Sequence, residues 1–102
     1  MIGEIILQPT AIKDIREIFI YLSEQTYSEE FAEKYVEKII GQIEILSFFP
    51  GIGRSVNIGE LISEKLRCLI LGEYAIYYER DKQKIEIIHI WHSRKIPLGF
   101  DE

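Results

Sequence analysis

The chain has 102 residues, of which 47% are hydrophobic and 12% aromatic, so one domain with a buried core is expected. Its formal net charge is −5, which argues against tight, non-specific binding of RNA or DNA, because proteins that grip phosphates normally carry a basic excess. Cys68 is the only cysteine, which excludes an intrachain disulfide and fits a reducing compartment.

The N-terminal residues 1–7 have neither the basic start nor the small-residue cleavage site of a signal peptide. No apolar run approaches the roughly 18 residues that a membrane span needs. We therefore expect a cytoplasmic protein that does not enter a membrane. The acidity belongs to residues 1–50, with 9 acidic and 4 basic residues, whereas residues 51–102 carry 8 of each. The C-terminal half therefore retains room for a local basic patch.

The opening segment predicts a strand followed by a helix. An apolar run from Glu4 to Gln8 stops at Pro9, which is typical of a short strand. Apolar residues then recur at helical spacing over 10–24, and Thr10 is the expected N-cap. The apolar stripe comprises Ile12, Ile15, Ile18, Phe19 and Leu22, and the expected solvent side comprises Lys13, Asp14, Arg16 and Glu17.

A second, longer helix is predicted from Ser28 to the Pro50-Gly51 pair. Ser28 can accept hydrogen bonds from free backbone N–H groups, and the two glutamates that follow it favour the positive end of the helix dipole. An apolar stripe runs from Phe31 to Leu46, and Pro50-Gly51 is the expected stop. The two helices should pack as an antiparallel hairpin.

The C-terminal half predicts a loop and then a sheet. Residues 50–64 show neither the helical period of 3.6 nor the strand period of two, and they are rich in turn formers, so a loop that carries Arg54 is predicted here. Period-two alternation then predicts strands over Leu66–Leu71, Tyr74–Glu79 and Ile85–His92, with residues 95–102 leaving the sheet. The predicted fold class is α+β: an N-terminal helical hairpin packed on a small, mostly antiparallel sheet of about four strands.

The last strand carries both histidines, and strict alternation separates them. It places Ile85, Ile87, His89 and Trp91 on one face, and Glu86, Ile88, Ile90 and His92 on the other. Two histidines on opposite faces do not share a metal ion, and no other His or Cys spacing suits one. No metal or other cofactor is expected.

Metal-free RNA cleavage is one chemistry that the polar residues of this half suggest. It needs a base for the ribose 2′-hydroxyl, an acid for the leaving oxygen and a cation for the charge on phosphorus. The candidates are His92 or His89, a tyrosine, and the arginines Arg54, Arg67 and Arg94.

Each candidate also has a structural explanation. A histidine at a strand end is often a solvated surface residue, and Arg67 has the option of pairing with a cross-strand carboxylate. Tyr74 and Tyr78 alternate on one face, as core residues do. Cys68 has no flanking base, so a small buried apolar role is expected for it.

The order of these features resembles the RelE/ParE toxin superfamily of type II toxin–antitoxin systems. The resemblance covers nearly the whole chain and is carried by four pieces. They are the helix pattern from Ala11 through Asp14 and Ile18 to Leu22, the loop Pro50-Gly51-Ile52-Gly53-Arg54, the strand pair with Arg67, Gly72, Tyr74 and Tyr78, and the ending with His89, His92 and Arg94. What it implies is a sheet flanked by the hairpin, and a toxin held in a hetero-oligomer by a cognate antitoxin in plasmid maintenance or growth arrest.

Within that superfamily, the resemblance favours the ParE-like members, which poison DNA gyrase through protein contacts without cleaving RNA. The helical hairpin and the Pro-Gly-x-Gly-Arg loop support this choice. The alternative is a RelE-like, ribosome-dependent mRNA endonuclease, with Arg54 and Arg67 stabilising charge, His92 as acid or base and His89 as the spare. A second alternative is a non-toxic relative that keeps antitoxin binding. The residues expected to contact a target or partner are Arg54, Arg67, Tyr74, Tyr78, His92 and Arg94.

Overall fold

The computed structural model describes residues 3–58 and 61–92, which form two helices and a five-stranded sheet. In chain order the elements are β1 (Glu4–Leu7), α1 (Pro9–Thr26), α2 (Glu29–Ile45), β2 (Arg54–Ile58), β3 (Leu61–Leu71), β4 (Tyr74–Asp81) and β5 (Lys84–His92). The strand order is β1-β5-β4-β3-β2, with β1 parallel to β5 and the other pairs antiparallel. The predicted α+β class is confirmed, with one strand more than expected.

The additional strand lies in the segment that the sequence predicted as a loop. β2 pairs antiparallel with an early extension of β3, and the register shifts between Ser55 and Val56. Such a bulge breaks the period of two by which a strand is recognised in sequence. Strand formation here therefore depends on the pairing partner more than on local propensity. The prediction of a loop over 50–64 was wrong for β2 and for the start of β3.

The N-cap of α1 lies two positions before the predicted one. Gln8 occupies the N-cap without a side-chain cap, and Pro9 takes the first helical position, where its fixed φ and missing N–H cost nothing. Thr10, predicted as the cap, instead donates its hydroxyl to the carbonyl of Ile88 at 2.6 Å. The first turn of α1 is thus tied to β5.

The start of α2 is as predicted, and its end comes earlier. The Ser28 hydroxyl accepts from the N–H of Phe31 at 3.0 Å, with Glu29 and Glu30 in the first turn. The helix ends at Ile45, and the chain continues as turns. Its apolar stripe runs out at the fully buried Leu46, so nothing favours carrying the helix on to Pro50.

The core lies between the helices and one side of the sheet, which we call the helix face. The helices contribute Ala11 and Ile18 from α1, and Ile39 and Ile43 from α2, and Leu46 follows directly after α2. The sheet contributes Tyr74, Ile76 and Tyr78 from β4, and Ile85, Ile87 and Ile90 from β5. Alternation along β4 places Tyr77 on the other side, and the partners of Tyr77 in register are Cys68 and His89. We call that side the open face.

A bulge in β5 changes which of its residues face the core. Tyr77 pairs with His89 and Tyr78 with Ile87, so Ile88 is an extra residue. The strict alternation predicted for this strand was therefore wrong: Ile90 joins Ile85 and Ile87 in the core, while His89 lies on the open face. His92, which pairs with Tyr74, lies on the helix face, so the two histidines still face opposite sides.

Candidate functional site

The loop between α2 and β2 is held rigidly by two side chains of the sheet. The Tyr78 hydroxyl donates to the carbonyl of Pro50 at 2.8 Å and accepts from the N–H of Gly53 at 2.9 Å. Arg67 donates to the carbonyl of Gly53 at 2.7 Å. A Cβ on Gly53 would lie 2.6 Å from the Tyr78 hydroxyl, so only glycine fits there. We call residues 50–54 the braced loop.

Tyr78 and Arg67 are thereby committed to structure. Tyr78 is fully buried, and burial raises its pKa, opposed in part by the Gly53 hydrogen bond and by Arg67. The phenol therefore keeps its proton at neutral pH and remains able to donate. The Arg67 guanidinium donates to the loop carbonyl of Gly53 and thereby helps to hold the loop.

Exposed apolar side chains lie on the braced loop and on the two residues before it. Phe48 and Phe49 are 61% and 63% exposed, and Ile52 is 53% exposed. Arg54, the last residue of the braced loop, is also exposed. Large apolar side chains held outward on a fixed loop are typical of protein-binding surfaces.

The open face carries a row of four side chains in register across four strands. Arg54 pairs with Cys68, Cys68 with Tyr77, and Tyr77 with His89. Trp91 joins them, with ring centroids 3.8 Å from His89 and 5.4 Å from Tyr77. Burial raises the pKa of the Cys68 thiol, with Arg54 and a hydrogen bond to Tyr77 acting in the opposite direction. The thiol is therefore protonated near neutrality and is not an activated nucleophile.

At the sheet edge, His89 contacts an aspartate that the sequence interpretation placed in solvent. Asp14 Oδ2 lies 2.8 Å from His89 Nδ1 and accepts the backbone N–H of Ile90 at 3.0 Å. Asp14 is only 9% exposed, so its predicted solvent position was wrong. The helical spacing held the signal, because Asp14 lies three residues after Ala11 and four before Ile18, both buried.

His92 lies on the helix face, in a groove. Its Nε2 is 2.9 Å from Glu73 Oε1, and its ring meets Tyr74 edge-on at 5.5 Å between centroids. The groove has a volume of about 490 Å³ and adjoins a hollow of about 300 Å³. We call both together the acidic groove; its lining includes Asp14, Glu17, Tyr21, Glu73, Tyr74 and His92.

The structure does not bring the predicted catalytic set together. Arg67 pairs with Tyr78 and His92 with Tyr74, four residues along β4, or about 13 Å. Arg54 lies on the open face, opposite to His92, and three strand spacings, or about 14 Å, separate it from His89 in the row. Arg94 falls outside the described residues.

Two kinds of feature are absent from the described ranges. Within residues 3–58 and 61–92, no three His, Cys, Asp or Glu side chains are grouped as metal ligands. In the same part of the chain, no helix combines the length and the apolar character needed to cross a membrane.

Comparison with known proteins identifies the family. The family model described as "ParE toxin of type II toxin-antitoxin system, parDE" matches residues 5–97. The chain belongs to the ParE toxin family. This assignment confirms the resemblance seen in the sequence and associates this ParE-family chain with type II toxin–antitoxin systems.

A solved structure supports the fold of this ParE-family chain. A chain of the chromosomal ParDE TA system from P. aeruginosa superposes with a TM-score of 0.72, covering 89% of this chain and 96% of that one. The two sequences are 20% identical, so the likeness concerns the fold. No curated protein sequence matches.

Proposed function

We propose that this ParE-family chain is a single-domain cytoplasmic toxin that inhibits DNA gyrase through protein contacts and is neutralised by a cognate antitoxin in a hetero-oligomer. The observation that carries the proposal is the separation of His92, Arg67 and Arg54, which leaves the predicted nuclease set without a common centre. A toxin that acts by binding requires only a suitable surface.

The braced loop and its neighbours supply such a surface. Tyr78 and Arg67 fix the loop before any partner arrives, so little conformational freedom is lost on binding. Phe48 and Phe49 are exposed, as is Arg54, and phenylalanine and arginine are both enriched in protein interfaces. We assign this surface to contact with the target.

Expression of the chain alone in bacteria tests toxicity, and a loop variant tests the surface. We expect growth arrest that co-expression of the antitoxin relieves. The double substitution Phe48→Ala and Phe49→Ala should weaken gyrase inhibition by about tenfold or more without unfolding the chain, because both rings are exposed.

Tyr27→Ala is the matched control, since this ring is 95% exposed and lies at the turn between the helices. It should leave inhibition unchanged. Full potency of the double phenylalanine variant would remove the loop from the target interface. Absence of growth arrest for the wild type would favour the non-toxic relative.

Ribosome-dependent mRNA cleavage is the second candidate, and the contact between Asp14 and His89 is the observation that favours it. A carboxylate on Nδ1 fixes the imidazole tautomer and leaves Nε2 for proton transfer. Arg54 shares the open face with His89. This candidate places the acid or base at His89 in place of His92, and His89→Gln should then abolish cleavage while His92→Gln should not.

A further inference from the structure

We propose that the acidic groove is the docking surface for a segment of the antitoxin that carries an arginine or lysine flanked by apolar side chains. The identity of this partner rests on the proposed function. The chemistry of the segment follows from the groove itself.

The charge of the groove calls for a cation. Three carboxylates line it, from Asp14, Glu17 and Glu73, and its described lining includes no lysine or arginine. Asp14 is only 9% exposed and already accepts the Ile90 N–H, so Glu17 and Glu73 are the carboxylates open to a partner. Glu73 is held toward the groove by His92 Nε2, and its side chain is 73% exposed, so it remains accessible to a partner. A guanidinium or ammonium group would neutralise this local excess.

The aromatic lining suits the same cation. Tyr21 is 54% exposed and Phe31 48% exposed, while Tyr74 packs edge-on against both Tyr35 and His92. Tyr74 is only 5% exposed, so the rings accessible to a partner are those of Tyr21 and Phe31. Cations bind favourably to the faces of neutral aromatic rings, arginine most often.

The shape of the groove suits a peptide segment more than an isolated ion. The two hollows share Tyr21, Glu73, Tyr74 and His92, so they form one continuous surface. Apolar side chains, among them Ile18 and Leu22, line it beside the carboxylates. A cation flanked by apolar residues therefore matches both the carboxylates and the apolar side chains of the lining.

The test is a titration of the full chain by ¹H–¹⁵N NMR with a capped Leu-Ala-Arg-Ala-Leu peptide. The reference is the same peptide with citrulline, which keeps the shape of arginine and removes its charge. We expect the arginine peptide to shift the amides of Tyr21, Glu73, Tyr74 and His92, and to bind about tenfold more tightly than the citrulline peptide.

Paired charge variants locate the binding. The double substitution Glu17→Gln and Glu73→Gln should weaken the arginine peptide by about fivefold. Glu37→Gln with Glu44→Gln removes the same charge from exposed positions of α2 that are not part of the groove lining, and should leave the affinity unchanged.

Three results would overturn the proposal. They are equal affinity for the two peptides, shifts that map outside the groove, and binding that appears only after Arg94→Gln with Lys95→Gln. The last result would mean that the chain fills the groove with its own cations. Growth arrest and gyrase inhibition are separate readouts, so a selective groove in a chain that arrests no growth would contradict the proposed function and leave the groove chemistry standing.

Discussion

At the scale of single residues, Tyr78 links the core to the braced loop. Its ring is fully buried and its hydroxyl serves both Pro50 and Gly53. Tyr78→Phe removes the acceptor of the Gly53 N–H, and Gly53 is buried, so we expect a loss of about 1–3 kcal/mol in the free energy of unfolding. Urea denaturation measures this loss.

The control for that substitution is Tyr27→Phe, because the Tyr27 side chain is 95% exposed. Its free energy of unfolding should match the wild type. If Tyr78→Phe also left the free energy of unfolding unchanged, the loop would not depend on this hydroxyl, and the argument for a preformed surface would fail.

Alkaline pH should destabilise the fold through the tyrosines of β4. Burial raises the pKa values of Tyr74, Tyr77 and Tyr78 above the ordinary value of 10.0. The unfolded chain therefore loses these protons at a lower pH than the native chain does, and the stabilisation is complete below pH 10 and lost as pH rises through the native pKa values.

The urea midpoint should accordingly fall with increasing slope above about pH 10. The Tyr78→Phe variant should show a shallower alkaline decline from its lower starting stability. A midpoint independent of pH up to 11 would contradict the assigned direction of these shifts.

At the scale of elements, features set by neighbouring residues, such as a helix start, were predictable from the sequence, whereas features set by strand pairing, such as bulges, were not. The start of α2 follows from Ser28 and the adjacent glutamates, all within one turn. β2 and the phase of β5 depend on bulges, at Ser55/Val56 and Tyr77/Tyr78, that arise only when strands pair. The sequence interpretation therefore found β1, β4, β5 and most of the core-facing part of β3, and missed the edge strand β2.

The junction of α1 with β5 yields a prediction at this scale. β1 pairs with β5 only as far as Ile87, and beyond it Asp14 satisfies the edge N–H of Ile90. Asp14→Ala should cost about 1–3 kcal/mol in unfolding free energy and speed hydrogen exchange at the Ile90 amide.

The matched variant is Asp14→Asn, which keeps an acceptor for the Ile90 N–H and removes the charge beside His89. It should restore most of the exchange protection. Unchanged exchange at Ile90 in the alanine variant would show that the edge is held by other contacts.

At the scale of the whole molecule, the sequence suggested residue types for a site without showing how the fold arranges them. Histidine, arginine and tyrosine were all selected from the C-terminal half, yet the sheet places Arg54 and His89 on one face and Arg67 and His92 on the other. The register of β2 to β5 decides this division, and spacing along the chain predicted only one part of it, the opposite facing of the two histidines. The acidic groove was missed for the same reason, since α1 supplies two of its carboxylates and the β3–β4 turn the third.

The separation of these residues makes a binding toxin the central claim, and the most direct test of it is a gyrase assay with the purified chain. Gyrase, relaxed plasmid and ATP are incubated with the chain and then treated with detergent and protease. We predict less supercoiled product and an accumulation of linear DNA, while mRNA on translating ribosomes stays intact. Unaffected supercoiling together with ribosome-dependent mRNA cuts that His89→Gln abolishes would contradict the account.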